Sequence, residues 1–205
     1  SPPTLADEVR RNWLSLREAE DGCTTAASRV IGDRHFPQRL TQADAWRKAR
    51  QAIEVNRPRA AAGALEIINP EALPLLSELT ASPAKFLASK GIAASRLRRE
   101  MVGLALIRLA TTDVDAAATQ LEHKWGAQLG TEERDWLWGV IGKQAATRLQ
   151  PDAHSYFAKV GADANLGDDL LGWKVRAALR AGRGPQWQGV LEAVNAMSEA
   201  ARQDP

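Results

Sequence analysis

Apolar and polar positions along the chain alternate with helical spacing, and the helix starts and stops are well marked. Thr4 precedes Leu5-Ala6-Asp7-Glu8, which places acidic residues in a first turn, where the helix dipole favours them. Thr41 precedes Gln42-Ala43-Asp44, a near capping box, and opens a helix to about Val55. Asn56-Arg57-Pro58 breaks it, with Pro58 suited to the first position of a second helix running to Ile68. Prolines 70, 74 and 83 and Gly91 make the next stretch choppier, and two short helices are expected near 71–79 and 83–89. Ser95 opens a long helix to Ala110. Thr112 is expected to cap the next, to about Gln128. Thr131-Glu132-Glu133 opens another to Leu149, and Pro151-Asp152 a shorter one to Val160. Asp168-Asp169 begins a helix that Gly182 ends, and Pro185 begins one to about Met197.

The pattern is helix, short turn, helix, repeated. Four pieces resemble one another: Arg59-Ala-Ala-Ala-Gly-Ala-Leu-Glu66, Asp115-Ala-Ala-Ala-Thr-Gln-Leu-Glu122, Asp152-Ala-His-Ser-Tyr-Phe-Ala-Lys159 and Pro185-Gln-Trp-Gln-Gly-Val-Leu-Glu192. Each begins the second helix of a hairpin. The last three recur at roughly 33–37 residues, the spacing of helical repeat arrays. The expected fold is therefore all-α: a right-handed superhelix or solenoid of antiparallel helix hairpins, TPR-like, continuous over residues 1–205.

Composition supports this reading. Hydrophobic residues make up 44% and charged residues 25%, an ordinary globular balance. The net charge of +2 comes from interspersed signs, as in Arg96-Leu97-Arg98-Arg99-Glu100, unlike the basic face of a nucleic-acid binder. The longest apolar run, near Val102–Ala110, falls far short of the about 18 residues of a membrane span. Ser1-Pro2-Pro3 lacks a signal peptide's charged start and apolar core, so the chain is either cytosolic or begins after a removed signal. The single cysteine, Cys23, reads either as a small buried hydrophobe or as an orphan whose disulfide partner lies elsewhere.

No motif for chemistry stands out. His35, His123 and His154 are far apart and form no His-Glu-x-x-His. No Gly-rich phosphate loop and no Gly-x-Ser-x-Gly elbow occurs. Packing accounts for Gly139 and Gly142 within a helix. Glycoside cleavage commonly uses paired carboxylates, which makes the clusters Glu132, Glu133, Asp135 and Asp168, Asp169 candidates for that role. Both groups begin helices, where dipole complementation explains them. No catalytic, cofactor-binding or metal-ligating residue is assigned, and no cofactor is expected. Seven of the aromatic residues are tryptophan. Trp136 and Trp138 share a helix but point to different sides, so one is free to be buried and the other exposed. Trp125, Trp173 and Trp187 sit on other hairpin helices. An exposed indole stacks on a sugar ring; a buried one fills space between helices.

The stretch Leu166-Gly-Asp-Asp-Leu-Leu-Gly-Trp173-Lys-Val-Arg176-Ala-Ala-Leu-Arg180-Ala-Gly182 resembles soluble lytic murein transglycosylases. In that family an acidic helix start leads to Trp, then Arg-Ala-Ala-Leu-Arg-Ala-Gly, then a turn with Trp, Val-Leu and Ala-x-x-Ala-Met. Here these continue as Trp187, Val190-Leu191 and Ala193-Val-Asn-Ala-Met197, with Arg183-Gly-Pro-Gln186 lengthening the turn. Leu40-Thr-Gln-Ala-Asp44-Ala-Trp46, Arg108-Leu-Ala110 with Asp113-Val-Asp-Ala-Ala117, and Glu133-Arg-Asp-Trp136 match other family pieces in order. The resemblance spans roughly residues 17–205. It implies the superhelical, non-catalytic region of a periplasmic enzyme that cleaves the β-1,4 bond between N-acetylmuramic acid and N-acetylglucosamine, leaving a 1,6-anhydro end. The family's chemistry belongs to a lysozyme-like C-terminal domain with Glu-Ser and Gly-Leu-Met-Gln motifs. Neither motif occurs here, so no residue inherits a catalytic role and this chain alone is expected to be inactive. The implied partners are peptidoglycan glycan strands and the chain's own catalytic domain; no nucleic acid and no transmembrane segment are expected, and the glycan-contacting residues are unknown.

The segment Leu5–Leu14 resembles an earlier family helix and Glu20-Asp-Gly-Cys23 a later one, which implies family residues missing between about Trp13 and Asp21, together with the usual partner of Cys23. A different expectation is a TPR-like adaptor without enzymatic activity, binding protein helices or tails through a groove of Asn, Lys and Arg at matched repeat positions.

Overall fold

The computed structural model describes residues 12–13, 41–182 and 186–202, less the side chains of 186–188 and 200. The expected first helix after Thr4, Cys23, His35 and the proposed junction between Trp13 and Asp21 lie outside the described residues. Every regular element among the described residues is helical, with no strand. The chain divides into two compact units, Ser1–Ser89 and Lys90–Pro205.

In the first unit α1 (Gln42–Glu54) and α2 (Pro58–Ile68) pack as a hairpin. Thr41 closes a full capping box: its hydroxyl accepts from the Asp44 N–H at 3.2 Å, and the Thr41 N–H donates to Asp44 Oδ2 at 2.9 Å. Asn56 takes the left-handed conformation (φ 57°) that lets the chain reverse, and the Arg57 N–H donates to the Ala52 carbonyl at 2.7 Å. Pro58 then supplies a preset first helical residue. Small residues line the seam: Ala45, Ala49, Ala60, Ala61 and Ala64 are buried, with Ile53 and Leu65 filling the space between helices. A short 3₁₀ turn, Pro70–Ala72, leads into α3 (Leu73–Ala81), and α4 (Pro83–Ser89) packs on α3.

The second unit holds α5 (Arg96–Ala110), α6 (Val114–Gln120), α7 (Thr131–Thr147), α8 (Ala153–Phe157), α9 (Asp168–Ala181), α10 (Gln186–Ala196) and the single turn α11 (Glu199–Arg202). Consecutive helices pair as α5 with α6, α7 with α8 and α9 with α10, and the first helix of each pair packs on the next, α5 on α7 and α7 on α9. The four similar sequence pieces therefore do fall in the second helices, α2, α6, α8 and at the start of α10.

Two caps differ from expectation. The Ala116 N–H donates to Asp113 Oδ1 at 2.9 Å, so Asp113 caps α6, while the Thr112 hydroxyl turns back to the Leu109 carbonyl at 3.0 Å and finishes α5. Asp113 wins because its backbone is extended (φ −141°), which aims the carboxylate at the helix start. Gly130, one residue before Thr131, precedes α7, and its N–H donates to Glu133 Oε2 at 2.7 Å. Asp113→Ala is expected to lower stability by about 1 kcal/mol, measured as a shift in the urea midpoint with an unchanged slope.

The expected helix to Gln128 is also interrupted. It widens to a π-type turn at Leu121–Trp125 and closes with a 3₁₀ turn, Gly126–Gln128. Glycine is needed at 126, because a Cβ there would sit 2.6 Å from the Leu121 carbonyl oxygen.

The centre of this unit is α7. Every residue from Asp135 to Gly142 is buried, because α5, α6, α8 and α9 all pack against it. A helix covered on all sides needs no polar stripe. Gly139 and Gly142 allow the closest approaches: a Cβ at 139 would meet Leu166 Cδ2 at 2.8 Å, and one at 142 would meet the Phe157 ring at 2.8–2.9 Å. Arg148, just past α7, donates to the terminal carbonyls of α5, Ala110 at 3.1 Å and Thr111 at 2.6 Å, satisfying acceptors that a helix end leaves open.

Candidate functional site

The acidic groups singled out in the sequence are all engaged in structure. Asp135 is 1% exposed and accepts three hydrogen bonds, from the Gly161 N–H (2.9 Å), the Ala162 N–H (3.0 Å) and Asn165 Nδ2 (2.7 Å). It ties α7 to the turn that leads into α9. Glu133 pairs with Arg99 at 3.4 Å in addition to binding the Gly130 N–H. Asp168 accepts from the Ser198 N–H and hydroxyl at 2.9 and 2.7 Å, and Asp169 forms an ion pair with Lys143. Glu132 lies in the first turn of α7. These carboxylates cap and cross-link helices.

His123 is exposed on the π-type turn and His154 is half-buried on α8. Among the described residues no group of three or more His, Cys, Asp or Glu could hold a metal ion.

Both Trp136 and Trp138 are buried, at 2% and 5% exposure, so the expected freedom of one to be exposed is not realised. They do point to different sides, but α7 has neighbours on both. Trp136 lies under Gly167, and Trp138 stacks on Tyr156, with ring centroids 6.2 Å apart and planes 11° from parallel. Trp13, Trp46 and Trp125 are buried as well.

Around Trp138 runs a polar network. Lys159 lies over its ring at 5.0 Å and pairs with Glu122 at 2.6 Å, and the Tyr156 hydroxyl donates to Asp115 at 3.1 Å. The Lys159 hydrogen bond and charge hold the Glu122 carboxyl below its usual range. Burial, then the Asp115 carboxylate, pushes the Tyr156 phenol above 10. A phenol that resists ionisation in the folded state contributes stability below its unfolded value, and that contribution is lost as pH rises through the folded one. Stability should therefore fall above about pH 10 more steeply in the wild type than in Tyr156→Phe, as urea midpoints between pH 9 and 11 would show. Parallel curves would refute this.

The remaining tryptophan with a described side chain, Trp173, has a different setting. It is half-buried on α9 and borders an open cleft of about 520 Å³. Trp173, Arg176, Ala177, Arg180 and Ala181 form one wall. Their spacing of three and four residues puts them on one face of α9. The end of α7 and the start of α8 form the other wall, with Leu149, Gln150 and His154. The Arg176 guanidinium lies over the Trp173 ring at 5.3 Å, and no acidic residue lines the cleft.

The facing wall carries two costs. Leu149 has φ 60°, a left-handed conformation unusual for a bulky side chain, and it is 61% exposed. Gln150 Oε1 is buried and accepts no hydrogen bond, which is unfavourable for an acceptor removed from water. The left-handed Leu149 ends α7, with the Gln150 N–H donating to the Ala145 carbonyl at 2.9 Å, and it places exposed apolar surface beside an unmet acceptor at one opening. The i, i+3, i+7 stripe of Trp173, Arg176 and Arg180 was visible in the sequence. The opening opposite it was not, because it depends on how α7 and α8 turn away.

Among the described residues no helix is long and apolar enough to cross a membrane. Comparison with known protein families and with curated protein sequences finds no match to this chain.

Proposed function

We propose that the chain is the superhelical scaffold region of a periplasmic peptidoglycan lytic transglycosylase, a non-catalytic support that holds glycan strands for a catalytic domain elsewhere in the parent protein. The parent would cleave the bond between N-acetylmuramic acid and N-acetylglucosamine to give 1,6-anhydro ends. The paired helices of the second unit, each pair packed on the next, support a stacked array of hairpins.

One observation carries the reading furthest. The stretch Leu166–Gly182, which most resembles the transglycosylases, supplies the wall of the open cleft through Trp173, Arg176 and Arg180. An indole beside hydrogen-bonding groups is the usual equipment for holding a sugar, whose rings present flat C–H faces and polar edges. The carboxylates singled out in the sequence cap and cross-link helices. An adaptor for protein tails would call for Asn, Lys and Arg along its groove; Arg176 and Arg180 line this cleft, but no Asn or Lys does.

The activity is tested on purified sacculi. The intact gene product is expected to release muropeptides with 1,6-anhydro ends. Release of reducing ends alone, or no release, would defeat the transglycosylase reading.

A further inference from the structure

We propose that the contact between α9 and the α7–α8 turn is hinged, and that the open cleft alternates with a closed state in which α9 is clasped to the end of α7 by its arginines.

The preceding repeat shows what a clasped contact looks like. Arg148, just past α7, donates to the last carbonyls of α5, Ala110 at 3.1 Å and Thr111 at 2.6 Å. A guanidinium there meets open acceptors and the negative end of the helix dipole. α7 and α9 finish alike, each running into a residue of positive φ, Leu149 and Gly182. The residue before it is Arg148 in one case and Ala181 in the other. The clasp between α5 and α7 thus has no counterpart at the same position between α7 and α9, and there the cleft of about 520 Å³ opens.

α9 is pinned at one end only. Near its start Leu170 packs against α7 at Gly139, Asp169 pairs with Lys143 of α7, and Lys174 pairs with Asp163 at 2.6 Å. Farther along, Arg176, Leu179 and Arg180 are exposed. A helix held at its start and exposed along its last turns can swing about the held end.

The parts of a clasp face each other across the opening. Gln150 Oε1 is buried without a donor on one wall. On the other, Arg176 rests over the Trp173 ring at 5.3 Å, and Arg180 forms no hydrogen bond or ion pair among the described residues. Closure brings a guanidinium to Gln150 Oε1 and to the carbonyl end of α7, and it covers Leu149, now 61% exposed, with Trp173. The ordering of two long side chains opposes it. Opposed terms of similar size leave both states populated. The closed state shuts the cleft to any ligand, so the open fraction scales the apparent affinity there.

The test measures distances by pulsed electron resonance on the full chain. Nitroxides are attached through a genetically encoded keto amino acid at Thr147 and Leu179, which are exposed and do not line the cleft, so that Cys23 is untouched. Two distances are expected: that of the open structure, and a shorter one held by about a tenth of the molecules or more. Labels at Thr112 and Thr147, across the Arg148 clasp, should give one. The Arg176→Gln, Arg180→Gln double variant, folded by circular dichroism, should lose the shorter distance. A single open distance in the otherwise unaltered chain would overturn the hinge. A shorter distance that survives the double variant, or two distances across the Arg148 clasp as well, would overturn the arginine clasp.

Discussion

Asp135→Ala is expected to lower stability by about 3 kcal/mol. The carboxylate is 1% exposed and satisfies two backbone N–H groups and one amide at once. Hydrogen bonds to a charged group contribute about 1.5–3 kcal/mol each. The full sum does not apply, because Gly161 and Ala162 are exposed and water can reach their N–H groups once the carboxylate is gone. A loss of about 3 kcal/mol is roughly 10 °C in Tm for a unit of this size. Asn is expected to recover less than half of it, because one oxygen becomes an NH₂ facing groups that are themselves donors. The effect extends to function. The anchored turn leads directly into α9, the helix that carries Trp173, Arg176 and Arg180, and Asp163 in that turn also binds Lys174 of α9 at 2.6 Å. A loosened turn would leave one wall of the cleft without its support. Unfolding followed by circular dichroism checks the first claim; a change of under 1 kcal/mol would show that Asp135 is dispensable.

The second large effect concerns Gly142. Alanine in a helix interior is normally favoured over glycine by about 1 kcal/mol. Here the added methyl would meet the Phe157 ring at 2.8–2.9 Å, well inside van der Waals contact. Phe157 is 2% exposed and has no free direction to move. Overpacking of this kind costs about 1–3 kcal/mol and more where backbones must separate. Gly142→Ala should therefore destabilise by about 2 kcal/mol net, with the sign opposite to helix propensity. The diagnostic is a double-mutant cycle. Phe157→Leu alone should destabilise, and in its presence Gly142→Ala should cost far less, because the ring it strikes is gone. Additive effects would mean that contact with Phe157 is not what excludes a side chain at 142.

These residues also show what could be read from the chain beforehand. The bounds of α1, α2, α5 and α9 followed from local signals whose physics is contained in a few residues: the Thr41 box, Pro58, Ser95 and Gly182. Gly139 and Gly142 are packing positions, as their place inside a helix implies. Signals that depend on backbone conformation failed. Thr112 and Asp113 are both good caps by composition, and only the extended backbone at Asp113 decides between them. The π-type turn at Leu121–Trp125 leaves no local signal that breaks the helical pattern, which reads as one helix to about Gln128. Trp136 and Trp138 misled because two-residue spacing separates faces of a helix but says nothing about whether both faces have neighbours. The cleft belongs to this last kind. One wall is a helical stripe, legible at Trp173, Arg176 and Arg180; the other depends on the left-handed turn at Leu149.

The most direct test of the central claim is co-sedimentation of the chain with purified peptidoglycan sacculi. The account predicts that the protein pellets with sacculi, and that the Arg176→Gln, Arg180→Gln double variant, folded by circular dichroism, remains largely in the supernatant. A wild-type chain that stays soluble at every sacculus concentration would contradict it.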